Sequence, residues 1–365
     1  MPPQTLHATL PPFPSDLPTA PLVSVSLAAL EAGDPAAEDA LWAACQDLGF
    51  FYLDMFGSAA GERIVAQAEA INKVQNQFWA LGNDELDKYS RDRVHEFFAY
   101  RYGEPGGVDA NGVKQRNANY NIRKDDVLGH TPRLPAPAVV CDNDALFASY
   151  IRDCRIVIDL LLTQLNKRLG LPEGTLANMH RISQSSGDHI RFTHNPPQPF
   201  VERVAKRGEH TDFGSLTLLF NWLGGLQIRH PATEEWVYVR PIPGSPVVNL
   251  GDAMVTFSAG ILRSNVHRVV PAPGEQAGME RCSLVYFTRP EDDVIMKRLQ
   301  GGIIDAQPAT EEGGEMTALE WWMGRGTGKM PGIFTKKGFE PFEGGDLYAG
   351  RAKPPQADQT AVKVQ

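Results

Sequence analysis

Cysteine is scarce in this chain: four in 365 residues, at Cys45, Cys141, Cys154 and Cys282, widely spaced and with no CxxC pair. That argues against a disulfide framework and against a zinc knuckle, and it makes a reducing cytosol the simplest compartment. An excess of positive charge is also lacking, with 35 Lys and Arg against 44 Asp and Glu and a formal net charge of -9. Nucleic acid is therefore disfavoured as the main partner, and a small-molecule or peptide substrate fits better. No run of eighteen apolar residues occurs. The Pro-rich stretch Met1 to Pro21 has no apolar h-region, and the final Val362-Lys363-Val364-Gln365 carries no address signal. The expectation is a cytoplasmic, untargeted protein without a membrane partner, a monomer or homodimer.

What is present has a clear order and no internal repeat. A flexible Pro-rich arm is expected at 1–20, and a helical region with a substrate flap at 21–170. A strand-dense core follows at 171–308, then a partly helical C-terminal extension at 309–365 with a flexible tail. Leu22 to Leu27 alternates apolar with small polar residues, as a half-buried strand does. Asp34-Pro35 supplies an N-cap and first-turn proline for a helix towards Gly49, and Gly49 to Leu53 reads as a short strand. Ile64, Ala68, Ile71, Val74 and Phe78 form one helical stripe, and a longer helix is predicted from Asn143 to a C-cap at Gly170. Between them, Phe97 to Asp126 mixes aromatics and amides, including Tyr100, Arg101 and Tyr102, in a surface excursion or a substrate-facing flap.

From Ile190 to Arg289 short apolar runs alternate with Gly and Pro, the spacing of an antiparallel barrel or sandwich. Helices first and strands later give an α+β class, with helices packed on one side of the strands. His210-Thr211-Asp212 opens this block. In an extended strand residues i and i+2 share a face, so imidazole and carboxylate can converge on one ion. His267 follows Asp212 by 55 residues, after a turn at Gly251-Asp252, a predicted strand Met254 to Phe257 and another turn. Two neutral nitrogens and one anionic oxygen make the facial set that leaves open positions on Fe(II) for a 2-oxo acid and O2. Arg281 and Ser283 form a second same-face pair, a guanidinium and a hydroxyl suited to the distal carboxylate of 2-oxoglutarate. Taken singly, an HxD triplet is a common surface or capping feature, a lone histidine more often structural, and a lone arginine a surface ion pair. Order and spacing within one strand-rich block favour the joint reading. The remaining seven histidines are read as structural or exposed, with His194 also a candidate for the pocket wall.

Several segments resemble, in the expected order, the 2-oxoglutarate/Fe(II) oxygenases of the isopenicillin N synthase type. They are Cys45-Gln46-Asp47-Leu48-Gly49-Phe50-Phe51, His210 to Leu219, Gly224-Gly225-Leu226-Gln227, Val248-Asn249-Leu250-Gly251-Asp252, Ser264-Asn265-Val266-His267-Arg268-Val269 and Arg281-Cys282-Ser283. The resemblance implies a double-stranded β-helix, or jelly roll, with flanking helices. It also implies Fe(II) on His210, Asp212 and His267, 2-oxoglutarate and O2 as cosubstrates, ascorbate as an accessory reductant, and release of succinate and CO2. Because position 212 is Asp, no ligand position is free for chloride, so halogenation is not expected.

There is one departure. Many members carry an Asn and a Tyr two residues apart before the HxD motif, where this chain has Thr193 and Asn195. Both are kept as candidate cosubstrate contacts. Tyr100, Arg101, Tyr102, Phe192, His194 and Phe287 are the candidate substrate residues. The leading expectation is hydroxylation, desaturation or ring rearrangement of a small secondary metabolite. Two alternatives stand beside it: an Fe(II) oxidase of the same fold that uses no 2-oxoglutarate, with Arg281 on the substrate carboxylate, and a metal-free binding module.

Overall fold

The computed structural model describes residues 9–90, 97–102, 117–197, 208–231, 233–308 and 315–326. The first eight residues of the expected arm, the centre of the expected flap and the expected flexible tail lie outside them. Caps set the N-terminal helices. Strand β1 (Ser24–Ser26) runs into α1 (Leu27–Glu31), where the Ser26 hydroxyl accepts from Ala29 N. The Asp34 carboxylate accepts from Ala36 N to open α2 (Pro35–Asp47), which leads into β2 (Phe50–Asp54). Helix α3 (Ala59–Trp79) buries the predicted stripe and is followed by the single turn α4 (Asn83–Leu86). The expected flap is a hairpin at its roots, β3 (Tyr100–Tyr102) paired with β4 (Ala118–Arg123). Turns α5 (Lys124–Val127) and α6 (Ala138–Cys141) precede α7 (Asp144–Leu169), which stops at Gly170 in the left-handed region (φ 71°).

The strand-dense part comprises β5 (His189–Asn195), β6 (Leu216–Asn221), β7 (Leu226–Arg229), β8 (Trp236–Tyr238), β9 (Val247–Leu250), β10 (His267–Val269) and β11 (Arg281–Thr288). Between β9 and β10, Met254 to Phe257 is not a strand but part of helix α8 (Asp252–Phe257). A four-residue apolar run does not distinguish the two states. Here the Asp252 carboxylate, held by Thr211, Ser264 and Arg325, anchors the first turn, and Met254 and Phe257 are buried at helical spacing. The last described element is α9 (Ala318–Gly326).

The large sheet has the order β1-β2-β9-β6-β11-β5-β4-β3, and β10-β7-β8 form a second sheet. The region 21–170 thus contributes four strands to the large sheet. An apolar cluster including Phe50, Tyr52, Ile228, Val237 and Val247 lies between the sheets at the β2 end. The ladder registers fix which side chains share a face. Tyr100, Tyr120, Phe192, Leu284 and Phe220 are successive cross-strand partners, and their row packs against Phe78 of α3 and Phe147 of α7. The intervening positions, among them Arg101, Asn119, Thr193, Ser283 and Asn221, face inward towards the second sheet.

This alternation corrects four of the expected substrate positions. Tyr100, Tyr102, Phe192 and His194 belong to the helix-side rows, whereas Arg101 and Phe287 face inward. The Tyr100 hydroxyl donates to Asn83 Oδ1, and His194 stacks on Trp79. Phe192 is fully buried there, so Phe192→Ala should cost about 3–5 kcal/mol, the range for emptying a packed Phe site. Guanidinium denaturation checks this, and metal affinity measured under native conditions should be retained.

Candidate active site

Two backbone hydrogen bonds bring the histidines together. His210 N donates to His267 O (3.1 Å) and His267 N to His210 O (2.9 Å), a single antiparallel bridge on the edge of β10 opposite β7. Only His210 of the HxD triplet pairs in this way, so the expected strand through Asp212 is a loop. Asp212 is carried instead by a crossing with the start of α8: Asp252 N donates to Asp212 O (2.7 Å) and Ala253 N to Gly214 O (3.1 Å). A Cβ at Gly251 would stand 2.3 Å from Gly214 O and 2.8 Å from Asp212 O, so only glycine lets the two segments cross.

Side-chain hydrogen bonds leave the metal-facing atoms free. His210 Nδ1 lies 2.8 Å from Gly208 O and His267 Nδ1 lies 3.1 Å from Asn265 O. A carbonyl only accepts, so each Nδ1 carries a proton, which in the neutral ring leaves the lone pair on Nε2. Asp212 Oδ2 accepts from Thr217 Oγ1 and Asn249 Nδ2, both at 2.7 Å. That leaves Asp212 Oδ1 at 3.9 Å from His210 Nε2 and 3.8 Å from His267 Nε2. The three ligand atoms lie within 4.8 Å of one another. Burial opposes ionisation of Asp212, but His267, His210 and the bonds from Asn249 and Thr217 outweigh it and hold the carboxyl below its usual range. Burial, followed by the neighbouring His210, pushes His267 down to about 4, so its imidazole is neutral at physiological pH. Two neutral nitrogens and one carboxylate oxygen fit a divalent ion.

The basic clamp stands at the other end of β11. Arg281 is buried, its Nε donating to Gly224 O (2.7 Å), and its Nη1 is buried without a hydrogen-bond partner. Gly225 makes room for it: φ there is 108°, and a Cβ would meet Val270 O at 2.4 Å and Arg281 Nε at 3.0 Å. Burial lowers the guanidinium only to about 10, so it remains charged. An unpaired buried cation is costly unless a ligand supplies the anion. Ser283 shares the inner face with Arg281, and its hydroxyl is hydrogen-bonded to that of Thr193 across the ladder. Asn195 pairs opposite Arg281.

Reading the sequence overlooked several residues that the fold brings here. Thr217 and Asn249 fix Asp212, and Asn221, opposite Ser283 on the inner face, has a buried Nδ2 without a partner. Polar residues at 217 and 221 interrupt the apolar run of β6 on one face, and that alternation is the signal that could have found them. Arg191 and Arg289 were also overlooked. Arg191 lies over Phe287 and Phe97, and Arg289 over Phe97, Phe213 and Trp322.

Comparison with known proteins gives the family. Residues 186–290 match the family described as the 2OG-Fe(II) oxygenase superfamily. A 2-oxoglutarate-dependent dioxygenase of Aspergillus fumigatus is 30% identical over 336 residues, covering 85% of this chain and 86% of that protein. Another from Glarea lozoyensis, gloE, is 30% identical over 291 residues, covering 78% and 84%. Among solved structures, full-length Neurospora crassa T7H in complex with alpha-KG and thymine superposes with a TM-score of 0.67 at 20% identity, covering 85% of this chain and 97% of that one. That likeness shows the fold.

Asn249→Ala should weaken Co(II) or Mn(II) binding about 10- to 100-fold, the usual effect of losing a hydrogen bond that orients a ligand. Calorimetric titration of the metal checks this; unchanged affinity would mean that the bond to Asp212 Oδ2 does not prepare the site.

Proposed function

The chain belongs to the 2OG-Fe(II) oxygenase superfamily, and from that premise we propose that His210, Asp212 and His267 hold Fe(II) while Arg281 and Ser283 hold the distal carboxylate of 2-oxoglutarate. It is a 2-oxoglutarate-dependent dioxygenase that releases succinate and CO2. The observation that carries the residue assignment is the pre-set donor geometry: both histidines have Nδ1 occupied and Asp212 has one oxygen occupied, all from the protein side.

Bound Fe(II) supplies the redox chemistry that couples O2 to cosubstrate decarboxylation and substrate oxidation. The protein's own residues do the rest. Asp212 remains an anion in a buried site because Thr217 and Asn249 stabilise its charge. His267 stays neutral and so competes for metal rather than for a proton. Arg281 attracts a carboxylate to its unpartnered Nη1, and Thr193 orients the Ser283 hydroxyl beside it. Asn221 takes the place of the missing family tyrosine by offering its free amide N–H to the same acid.

The names of the two fungal relatives favour 2-oxoglutarate as cosubstrate over the oxidase alternative. The substrate is a small secondary metabolite, and the outcome is hydroxylation, desaturation or ring rearrangement. Among the described residues no helix is long and apolar enough to cross a membrane. We place the enzyme in the cytoplasm as a monomer or homodimer.

Anaerobic addition of 2-oxoglutarate to the Fe(II) protein should produce the visible charge-transfer band of a 2-oxo acid chelate, and air should then yield succinate. Absence of both would refute the reading. Arg281→Gln should raise the 2-oxoglutarate Kd about a hundredfold, as expected for truncating one partner of a buried charge pair. Asn221→Leu should raise it by a smaller factor, about tenfold, for one lost hydrogen bond to a charged group.

A further inference from the structure

Beside the loop that carries Asp212 lies a second set of cations, the buried Arg289 and the half-buried Arg101 and Arg191. Phe97 is its centre: the guanidinium carbons of Arg101, Arg191 and Arg289 lie 5.3, 5.5 and 4.8 Å from the ring centroid. Arg191 also covers Phe287 at 4.7 Å, and Phe287 is the ladder partner of Thr217, which bonds Asp212. Arg289 covers Phe213, the residue next to Asp212, at 4.8 Å. The cluster is therefore continuous with the metal site.

The protein gives Arg191 and Arg289 no ion pair among the described residues. Arg191 Nε donates to Asn121 Oδ1 (2.7 Å), and Asn121 is fixed by its own bond to Phe97 O (2.9 Å). Arg289 is 3% exposed, and its Nε and Nη1 are buried without a partner. No carboxylate lies within ion-pairing distance of Arg191 or Arg289 among the described residues. Asp188, Asp212 and Asp292 act on Arg289 only at longer range, while Arg191 repels it. Gly187 keeps the place open, since a Cβ there would stand 2.6 Å from Arg289 Nη1 and 2.9 Å from Trp322.

Aromatic faces alone are weak partners for a buried guanidinium, Arg289, with a half-buried one, Arg191, repelling it. The anion of the clamp cannot supply the missing charge. Arg281 pairs with Asn195, four residues along β5 from Arg191, or roughly 13 Å of strand, and the other end of that cosubstrate belongs at the metal.

Building on the proposed function, we propose that the substrate is a small carboxylic acid whose carboxylate is bound by Arg191 and Arg289, with its apolar body against Phe97, Phe213 and Phe287. Arg191 offers its terminal nitrogens and Arg289 its unpartnered Nε and Nη1, the donors that a planar carboxylate accepts in pairs. Arg101 adds positive charge from the inner face of β3.

The test uses the full chain loaded with Mn(II) and 2-oxoglutarate, which binds without turning over. Phenylacetate and 3-phenylpropanoate are titrated calorimetrically beside their amides. The carboxylates should bind at least tenfold more tightly than the amides. Arg191→Gln and Arg289→Met should each remove that preference while changing the 2-oxoglutarate Kd less than twofold. Arg191→Lys, which keeps the charge but loses the fork, should retain part of the preference. The melting temperature of ligand-free Arg289→Met should not fall, because the variant removes an uncompensated charge. Equal binding of acid and amide, no binding of either acid, a parallel loss of 2-oxoglutarate affinity in the variants, or a large drop in melting temperature would overturn the proposal. If the unmodified protein fails to bind 2-oxoglutarate, the oxygenase assignment of the site fails, whatever the acid and amide titrations give.

Discussion

The site depends on the one antiparallel bridge between His210 and His267. It sets two imidazole rings 4.3 Å apart by centroid, with both Nδ1 atoms turned to local carbonyls. Once the Nε2 atoms converge, Asp212 has one place to go, and the crossing at Gly251 delivers it there. The surrounding structure supports that crossing. Asp252 at the head of α8 is held by Thr211, Ser264 and Arg325, and Trp321 Nε1 of α9 donates to Phe213 O. A helix of the expected C-terminal extension thus holds the loop that carries Asp212.

Much of this was legible in the sequence, for definable reasons. The grouping of His210, Asp212 and His267, proposed as the metal ligands, could be anticipated because a facial set needs few residues of fixed chemistry, and the boundaries of α2 and α7 because Asp34-Pro35 and Gly170 have strong local preferences. The substrate wall was not legible in the same way. Along β5 the residues alternate between site and helix layer, so an error of one position exchanges Phe192 and His194 for Arg191 and Thr193. Only the pairing with β4 and β11 decides which set faces inward. The α8 segment failed for a different reason: its conformation is set by long-range bonds to Asp252, which no local window contains.

The inner face shows how function is built at the expense of stability. Arg281 and Arg289 are buried with hydrogen-bonding capacity to spare, and burial lowers them to about 10 and about 9. Each unmatched buried charge costs several kcal/mol, a large share of a domain's net stability of about 5–15 kcal/mol. The apolar layers offset this. On the helix side of the large sheet, Phe192 and Tyr286 are fully buried, Phe192 against Phe78 of α3 and Phe147 of α7.

Separating the cations into two groups also separates two tasks. Arg281 rests on Gly224 O beneath the Gly224-Gly225 turn, a position set by the edge of β7 and independent of β5 beyond the ladder itself. Arg191 and Arg289 depend on Asn121, Phe97 and Gly187, which come from the hairpin and from the entry to β5. Changes in the hairpin can therefore alter what binds above the metal while the cosubstrate clamp keeps its geometry. Because the β3–β4 hairpin ends the large sheet, such changes bear on the β3–β4 and β4–β5 ladders and leave the pairing within β9-β6-β11-β5 intact. A fold arranged in this way can hold one redox centre constant and vary the acid presented to it.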